Sequence, residues 1–292
     1  MASAELRLIR RRIRSVQSTM KITSAMELIA ASRIVRAQAR VVAAQPYITK
    51  LDEVIRNVAA ASTGSRHPLL ERRELRTAGV LVITSDRGLA GAYNTNVLRL
   101  AEQRLIDHRH QDRGYRLYVV GKKAQVYFRY RGYDVERAFL GVTDAPGYGD
   151  ARAVANTVMN DYAEGKCDGL EAATTRFVSA ITQTAMWWPV LPIESPAAGE
   201  RTEAPPAYTF EPSPAEILDR LLPRYVEASI FGMLLEASAS EHAARRRAMK
   251  AATENAEELI KVLSRQANQA RQAEITTEIS EIVGGAEALT RG

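Results

Sequence analysis

Leu6, Ile9, Ile13, Val16, Met20 and Thr23 step by three and four residues. After Glu27 in the same register come Ala30, Ile34, Ala37, Val41, Ala44, Ile48, Leu51, Ile55 and Val58. A 3.5-residue apolar period held this long predicts a helix that supercoils with a partner helix. A second row, Ile22, Ala25, Met26 and Ile29, is expected to add to the seam. Pro46 brings no amide to an interior helix bond, so a kink or short break is expected there.

Residues 62–77 are a polar connector, after which the period changes. GVLVITSD and YRLYVVG read as buried strands, and LAGAYNTNVLRLAEQRLIDH and KKAQVYFRYRG as helices. YDVERAFLG is a third strand candidate and DARAVANTVMNDYAEG a further helix. GLEAATTRFVSA is a weaker strand, interrupted by Glu171 and Arg176, expected at a short or distorted sheet edge. WPVLPIE closes the region. Strand and helix in alternation predict an inserted Rossmann-like open α/β domain over 78–194. Residues 195–214 are Pro-rich and read as a linker. A second helical tract follows over 215–292, containing Pro223 and a small-residue block, ASASEHAARRRAMKAATENA.

The small block of each terminal helix (1–61 and 215–292) fits against the other when the two run antiparallel. That pairing sets Ile34 near Arg247, Val58 near Pro223 and Leu6 near Ile275. At about 1.5 Å per residue each arm is roughly 80 to 110 Å long. Beyond about Ile279 the C-terminal helix has no partner within the chain. Yet Ile275, Ile279, Ile282, Val283, Ala286 and Leu289 still mark one apolar stripe. Each exposed Ile or Leu forgoes roughly 1.5–3 kcal/mol of burial, so another protein is expected around this tip.

Charge and chemistry narrow the picture. From Arg7 to Arg40 there are nine basic residues against one acid, Glu27, which calls for an acidic partner. An Arg-rich amphipathic start can be a transit peptide, but the helical pattern outruns one and reads as mature structure. No window approaches eighteen consecutive apolar residues. The single cysteine, Cys167, excludes an internal disulfide or CxxC pair and reads as a half-buried hydrophobe. SDRGLAGAYN follows a strand and opens a helix, where a phosphate would sit, but its glycines are spaced GxxG and a structural turn is expected. Asp86 and Arg87 are candidates to pair with each other or with a neighbouring subunit. His67, His108, His110 and His242 are scattered and read as surface residues. No catalytic, cofactor-binding or metal-ligating residues are expected.

VQSTMKITSAMELIAASRIVRAQ near the start, SDRGLAGAYN in the middle, and SEHAARRRAMKAATENAEELI with ARQAEITTEISEIVGGA at the end span nearly the whole chain. In these motifs the sequence closely resembles the gamma subunits of F-type ATP synthases. The resemblance implies a central-stalk rotor that carries torque between a c-subunit ring and a hexamer of three alpha and three beta subunits, with the epsilon subunit alongside. It implies that nucleotide chemistry resides in the beta subunits and that this chain needs no cofactor. Contacts with the hexamer fall on Met26, Arg245, Gln272, Thr276 and Glu281. The tip, Ile275, Ile279, Ile282, Val283 and Leu289, would rest in an apolar bearing. Tyr208 and Glu211 match positions that meet the c ring and epsilon. Ala90 stands where many relatives carry a cysteine, and the paired-cysteine segment of chloroplast relatives is missing.

The expected location is peripheral, at the cytoplasmic side of a bacterial cell membrane, held indirectly through the c ring. The rival readings are a nucleic-acid-binding protein with a basic coiled-coil arm and a nucleotide-dependent enzyme built on the α/β domain. The apolar tip opposes the first, and the missing phosphate motif opposes the second.

Overall fold

The computed structural model describes residues 2–61, 67–193, 211 and 213–290, with side chains over 4–58, 67–193, 211 and 213–286. Helix α1 spans Ala2–Ala61 and helix α5 Pro214–Thr290. Between them lie β1 (Thr77–Ile83), α2 (Tyr93–His110), β2 (Gly114–Val120), α3 (Lys122–Tyr130), β3 (Arg137–Phe139), α4 (Tyr148–Ala163), β4 (Gly169–Phe177) and β5 (Gln183–Leu191). The chain falls into two compact units, Met1–Ile29 with Arg246–Gly292, and Ala30–Arg245.

In the first unit α1 and α5 pair through the heptad row. Leu6 and Thr23 are buried, and Ile9, Ile13, Val16 and Met20 are half-buried. The facing row on α5 steps likewise through Met249, Thr253, Ala256, Ile260, Leu263, Ala267, Ala270 and Glu274, all buried or half-buried. The Thr23 and Thr253 hydroxyls lie 2.7 Å apart. The expected pairing would have placed Thr23 beside Glu258. The observed register is shifted by five residues, which brings the two threonine hydroxyls within hydrogen-bond reach. Ile275, expected opposite Leu6, is therefore exposed. The second row of α1 stands outside this seam: Ile22, Ala25 and Ile29 are exposed and only Met26 is half-covered.

The second unit is built on a five-stranded sheet of order β3-β2-β1-β4-β5. Strands β1, β2, β3 and β4 run parallel, and β5 runs antiparallel to β4. Alternate residues of the buried strands feed two layers. Leu81, Ile83, Tyr118, Val120, Leu170 and Ala172 meet α4 together with the adjoining ends of α1 (Leu51, Ile55, Val58) and α5 (Leu218, Leu222, Val226, Ile230). Val80, Val82, Leu117, Val119 and Ala173 meet α2 and α3 on the opposite face. Here α1 and α5 also touch, the Tyr225 hydroxyl donating to Asp52 at 3.3 Å.

Several expectations are corrected. β4 is a full nine-residue interior strand rather than a short edge. Its Glu171 reaches Arg104 at 3.0 Å, and Arg176 is exposed near the strand end, so neither charge is buried without a partner. The register of β4 on β5 shifts once, between Leu170 and Glu171. Helix α1 continues through Pro46, whose side chain is exposed on the outer face, so the carbonyl one turn earlier can turn to water. Helix α2 begins at Tyr93 rather than Leu89, because Leu89 and Gly91 have φ of 63° and 56°. The polar connector contains a 3₁₀ turn, Pro68–Leu70, whose Leu69 amide donates to His67 Nδ1.

Candidate functional site

The residues singled out in the sequence fall into three places. In the first unit Met26 is half-buried, flanked at helical spacing by exposed Ile22 and Ile29. Met26 lies one turn from Thr23, whose partner is Thr253. Gln272 is nineteen residues beyond Thr253 on α5, roughly 28 Å further along. Gln272, Thr276 and Glu281 are exposed. The Thr276 hydroxyl donates to the Gln272 carbonyl at 2.9 Å, so its methyl group stands outward on the same stretch.

The apolar tip occupies that same stretch of α5. Ile275, Ile279, Ile282 and Val283 are 46 %, 55 %, 72 % and 58 % exposed. The helix runs on to Thr290, but the Leu289 side chain lies outside the described residues. This row does not continue the seam. Past Glu274 the seam would reach Thr277, Glu281 and Gly284, whereas Ile275, Ile279, Ile282 and Ala286 follow the row next to it. The apolar side chains change rows where cover from α1 ends, so they are not leftover coiled-coil positions. Of the two residues assigned to the foot, Glu211 is exposed and Tyr208 lies outside the described residues.

Arg245 is placed elsewhere. Instead of facing solvent it is 7 % exposed inside the second unit. Its guanidinium donates to Glu241 Oε1 at 2.6 Å and to the Gly88 carbonyl at 3.2 Å. In the chain by itself the donors of this side chain are turned inward, toward the buried Glu241 carboxylate and the Gly88 carbonyl. Arg246 and Arg247, both exposed, follow it in the ARRR run and carry the outward charge.

The loop that Arg245 grips is SDRGLAGAYN. Asp86 does not pair with Arg87; its carboxylate accepts from the Lys122 amide at 3.0 Å and the Thr143 hydroxyl at 3.0 Å. The Ser85 amide donates to Asn94 Oδ1 and the Asp86 amide to Thr143 Oγ1. These donors face protein acceptors, so the loop is a structural turn and not a phosphate cradle. Arg87 and Leu89 stand at its tip, Arg87 exposed and Leu89 exposed in the left-handed region.

Around Arg245 gathers a set of charged groups that the sequence did not announce. Glu241 is 1 % exposed, and its Oε2 has no hydrogen-bond partner. Burial, with Asp144 and Asp86 nearby, pushes its carboxyl up to about 7 against the pull of Arg245. His242, expected on the surface, is 2 % exposed, and burial holds it below its ordinary value. Its Nε2 lies 3.2 Å from the Asp144 carbonyl. Arg33 donates to both Asp144 carboxylate oxygens, at 2.5 and 2.6 Å, and Arg40 donates to the Pro146 carbonyl. Asp144, Glu241 and His242 have ligand-type atoms within 4.8 Å of one another, but guanidinium groups already hold both carboxylates. A spacing of four between two buried ionisable residues, Glu241 and Arg245, was the signal available in sequence. The small residues around it disguised it as an ordinary solvated helix face.

The remaining titratable candidates are structural. His108 is buried and held low by desolvation, whereas His110 is exposed. Cys167 is fully buried rather than half-buried, and burial pushes its thiol up to about 11, which leaves it unreactive at neutral pH.

A family model described as ATP synthase matches residues 5–289. The chain is 50 % identical to the ATP synthase gamma chain of Streptomyces coelicolor over 297 residues, covering 98 % of this chain and 96 % of that one. It is 52 % identical to the ATP synthase gamma chain of Acidothermus cellulolyticus over 298 residues, covering 98 % and 97 %. In fold it is similar to a chain of the Euglena gracilis mitochondrial ATP synthase (OSCP/F1/c-ring, rotational state 3). That likeness has a TM-score of 0.70 at 16 % identity, covering 98 % of this chain and 95 % of that chain. A chain from the central stalk/c-ring structure of the Tetrahymena thermophila mitochondrial enzyme gives a TM-score of 0.62 at 20 % identity, over 79 % and 99 %.

Proposed function

The chain belongs to the family of ATP synthase gamma chains, the non-catalytic rotor subunit of the central stalk, and we propose that it carries torque between a c-subunit ring and a hexamer of alpha and beta subunits. The observation that carries this reading is the exposed row Ile275, Ile279 and Ile282, with Val283 beside it, set off by one position from the seam that α1 covers. Four large apolar side chains left in water forgo roughly 1.5–3 kcal/mol each, a cost that a surrounding apolar collar would remove. A collar that touches only short aliphatic groups makes no directional bonds, so a helix end can turn within it. Leu289 extends the same row in sequence.

Along the same stretch Gln272, Thr276 and Glu281 offer exposed polar groups to the catalytic subunits, and Met26 offers a half-covered thioether further down. Exposed polar and charged contacts of this kind are worth about 0–1 kcal/mol each, which suits contacts made and broken in every part-turn. Arg245 would act at one remove, by holding the Gly88 carbonyl behind the exposed Arg87 and Leu89. Tyr208 and Glu211 are assigned to the c ring and epsilon. The complex would sit at the cytoplasmic side of a bacterial membrane with this chain peripheral to it. No described helix is long and apolar enough to cross a membrane.

The test is the double variant Gln272→Leu with Thr276→Val in the assembled complex. ATP-driven proton pumping is expected to fall relative to ATP hydrolysis while the isolated chain keeps its stability. Normal pumping per ATP in that variant would refute the contact assignment. Native mass spectrometry of the gently purified complex should find one copy of this chain with three each of two larger subunits. A nucleic-acid adduct or a free monomer would overturn the rotor reading.

A further inference from the structure

Glu241 combines three properties that rarely coincide. It is 1 % exposed, one oxygen is held by a single guanidinium at 2.6 Å, and the other has no partner. A buried carboxylate with an unmatched lone pair bears a full desolvation cost, and a proton is the smallest species that removes it. We propose that the Glu241 carboxyl is a proton-binding site whose ionisation sets how firmly Arg245 holds the Gly88 carbonyl and, with it, the exposed Arg87–Leu89 tip.

The surroundings favour a proton over a metal ion. From α5 itself Glu241 is faced by Arg245 and His242, from the loop after β1 by Asp86, from the loop before α4 by Asp144, and from α2 by Tyr93. Arg33 of α1 neutralises Asp144, and Arg245 neutralises Glu241 when it is ionised. A divalent cation would have to displace or lie against two guanidinium groups, whereas a proton need only occupy Oε2. Burial lowers the proton affinity of His242, which opposes a second positive charge beside Arg245. Glu241 therefore has its ordinary range raised to near neutrality, where small changes in proton concentration alter its charge.

The consequence runs through one side chain. While Glu241 is ionised, Arg245 is anchored at its carboxylate and its remaining N–H groups reach the Gly88 carbonyl at 3.2 and 3.4 Å. Once Glu241 takes a proton, Arg245 loses its anion in a buried setting and the guanidinium is drawn toward water. Its hold on Gly88 then weakens, and the tip gains freedom. Leu89, apolar, exposed and in a left-handed backbone, directly follows Gly88 and so reports on that hold. This coupling belongs to the chain by itself and does not rest on its assembly.

Two readouts on the full-length chain test it. With glutamate carboxyl carbons labelled with ¹³C, one signal is expected to titrate near pH 7 in the wild type and to vanish in Glu241→Gln. A nitroxide on Leu89→Cys, with the buried Cys167 thiol left unreacted, is expected to become at least twofold more mobile between pH 8 and pH 6. In the Glu241→Gln background its mobility should be high at both. Failure of any glutamate carboxyl to titrate above pH 6 would overturn the proposal even if the Gln variant did not fold. The same holds for a label whose mobility ignores pH, or follows it equally in the Gln variant. A shift of the same carbon signal on adding one equivalent of Zn²⁺ would assign the cluster to a metal and likewise overturn it.

Discussion

The hydroxyls of Thr23 and Thr253 lie 2.7 Å apart across the seam of α1 and α5, each also within reach of a carbonyl of its own helix, Met20 at 3.0 Å and Met249 at 2.9 Å. A mostly apolar row thus contains a polar pair, which favours the observed register by about one hydrogen bond. Thr253→Val alone should lower unfolding free energy by about 1 kcal/mol, whereas Thr23→Val with Thr253→Val should cost less than the sum of the singles. Urea denaturation of the four members of the cycle checks this, and additive losses would remove the pair from its register role.

Gly121 joins β2 to α3 at φ 93°, and a Cβ there would stand 2.4 Å from the Thr84 carbonyl oxygen. The neighbour is backbone at the end of β1 and cannot rotate away. Gly121→Ala is therefore expected to destabilise the chain by about 2–5 kcal/mol, combining backbone strain with overpacking. Gly132→Ala, also at positive φ but with open space around the new methyl, should cost only about 1 kcal/mol. Denaturation midpoints of the two variants separate sterics from backbone strain.

Glu241 gives a pH dependence whose sign can be worked out. Its folded value of about 7 lies above the ordinary 4.5, so the folded chain binds this proton more tightly. The resulting stability is fully present below pH 4.5 and is lost as pH rises through 7. At about 1.4 kcal/mol per pH unit the loss is on the order of 3 kcal/mol. His242, His108 and His67 are held below 6.5 by burial and act in the opposite sense, their cost growing as pH falls below that value. The comparison that isolates Glu241 is wild type against Glu241→Gln. Their difference in unfolding free energy should shift by that amount between pH 5 and pH 8, the wild type losing ground at the higher pH. A constant difference would place the ordinary carboxylate value on Glu241.

Truncation separates the tip from the rest of α5. Every described side chain past Glu274 is exposed, so deletion of residues 275–292 should leave the isolated chain within about 0.5 kcal/mol of its full stability. Deletion of 285–292 should do the same. In the assembled complex the two should part. Loss of Ile275, Ile279, Ile282 and Val283 is expected to impair coupled proton pumping much more than loss of the last eight residues. Equal damage would argue against an apolar bearing.

Much of this architecture was legible in the chain. The row from Leu6 to Val58 is buried or half-buried at every step because a 3.5-residue period admits only one covered face. The run GVLVITSD was legible as a buried strand, and its Val80 and Val82 face one layer and Leu81 and Ile83 the other, as a period of two requires. The apolar residues past Glu274 declared themselves by having nothing left in α1 to cover them. Tertiary structure decided what periodicity does not encode. The register of two similar small-residue faces sets Thr23 against Thr253, a pairing the period alone does not pick out. The interior place of β4 came from its pairing with both β1 and β5, with Arg104 from another element reaching its Glu171. The inward turn of Arg245 turned on Glu241, His242, Asp144 and Gly88 converging from three separate stretches of sequence. A charge on a helix looks the same in sequence whether water or a carbonyl from a distant loop receives it, and only the packing of those stretches against α5 made the difference.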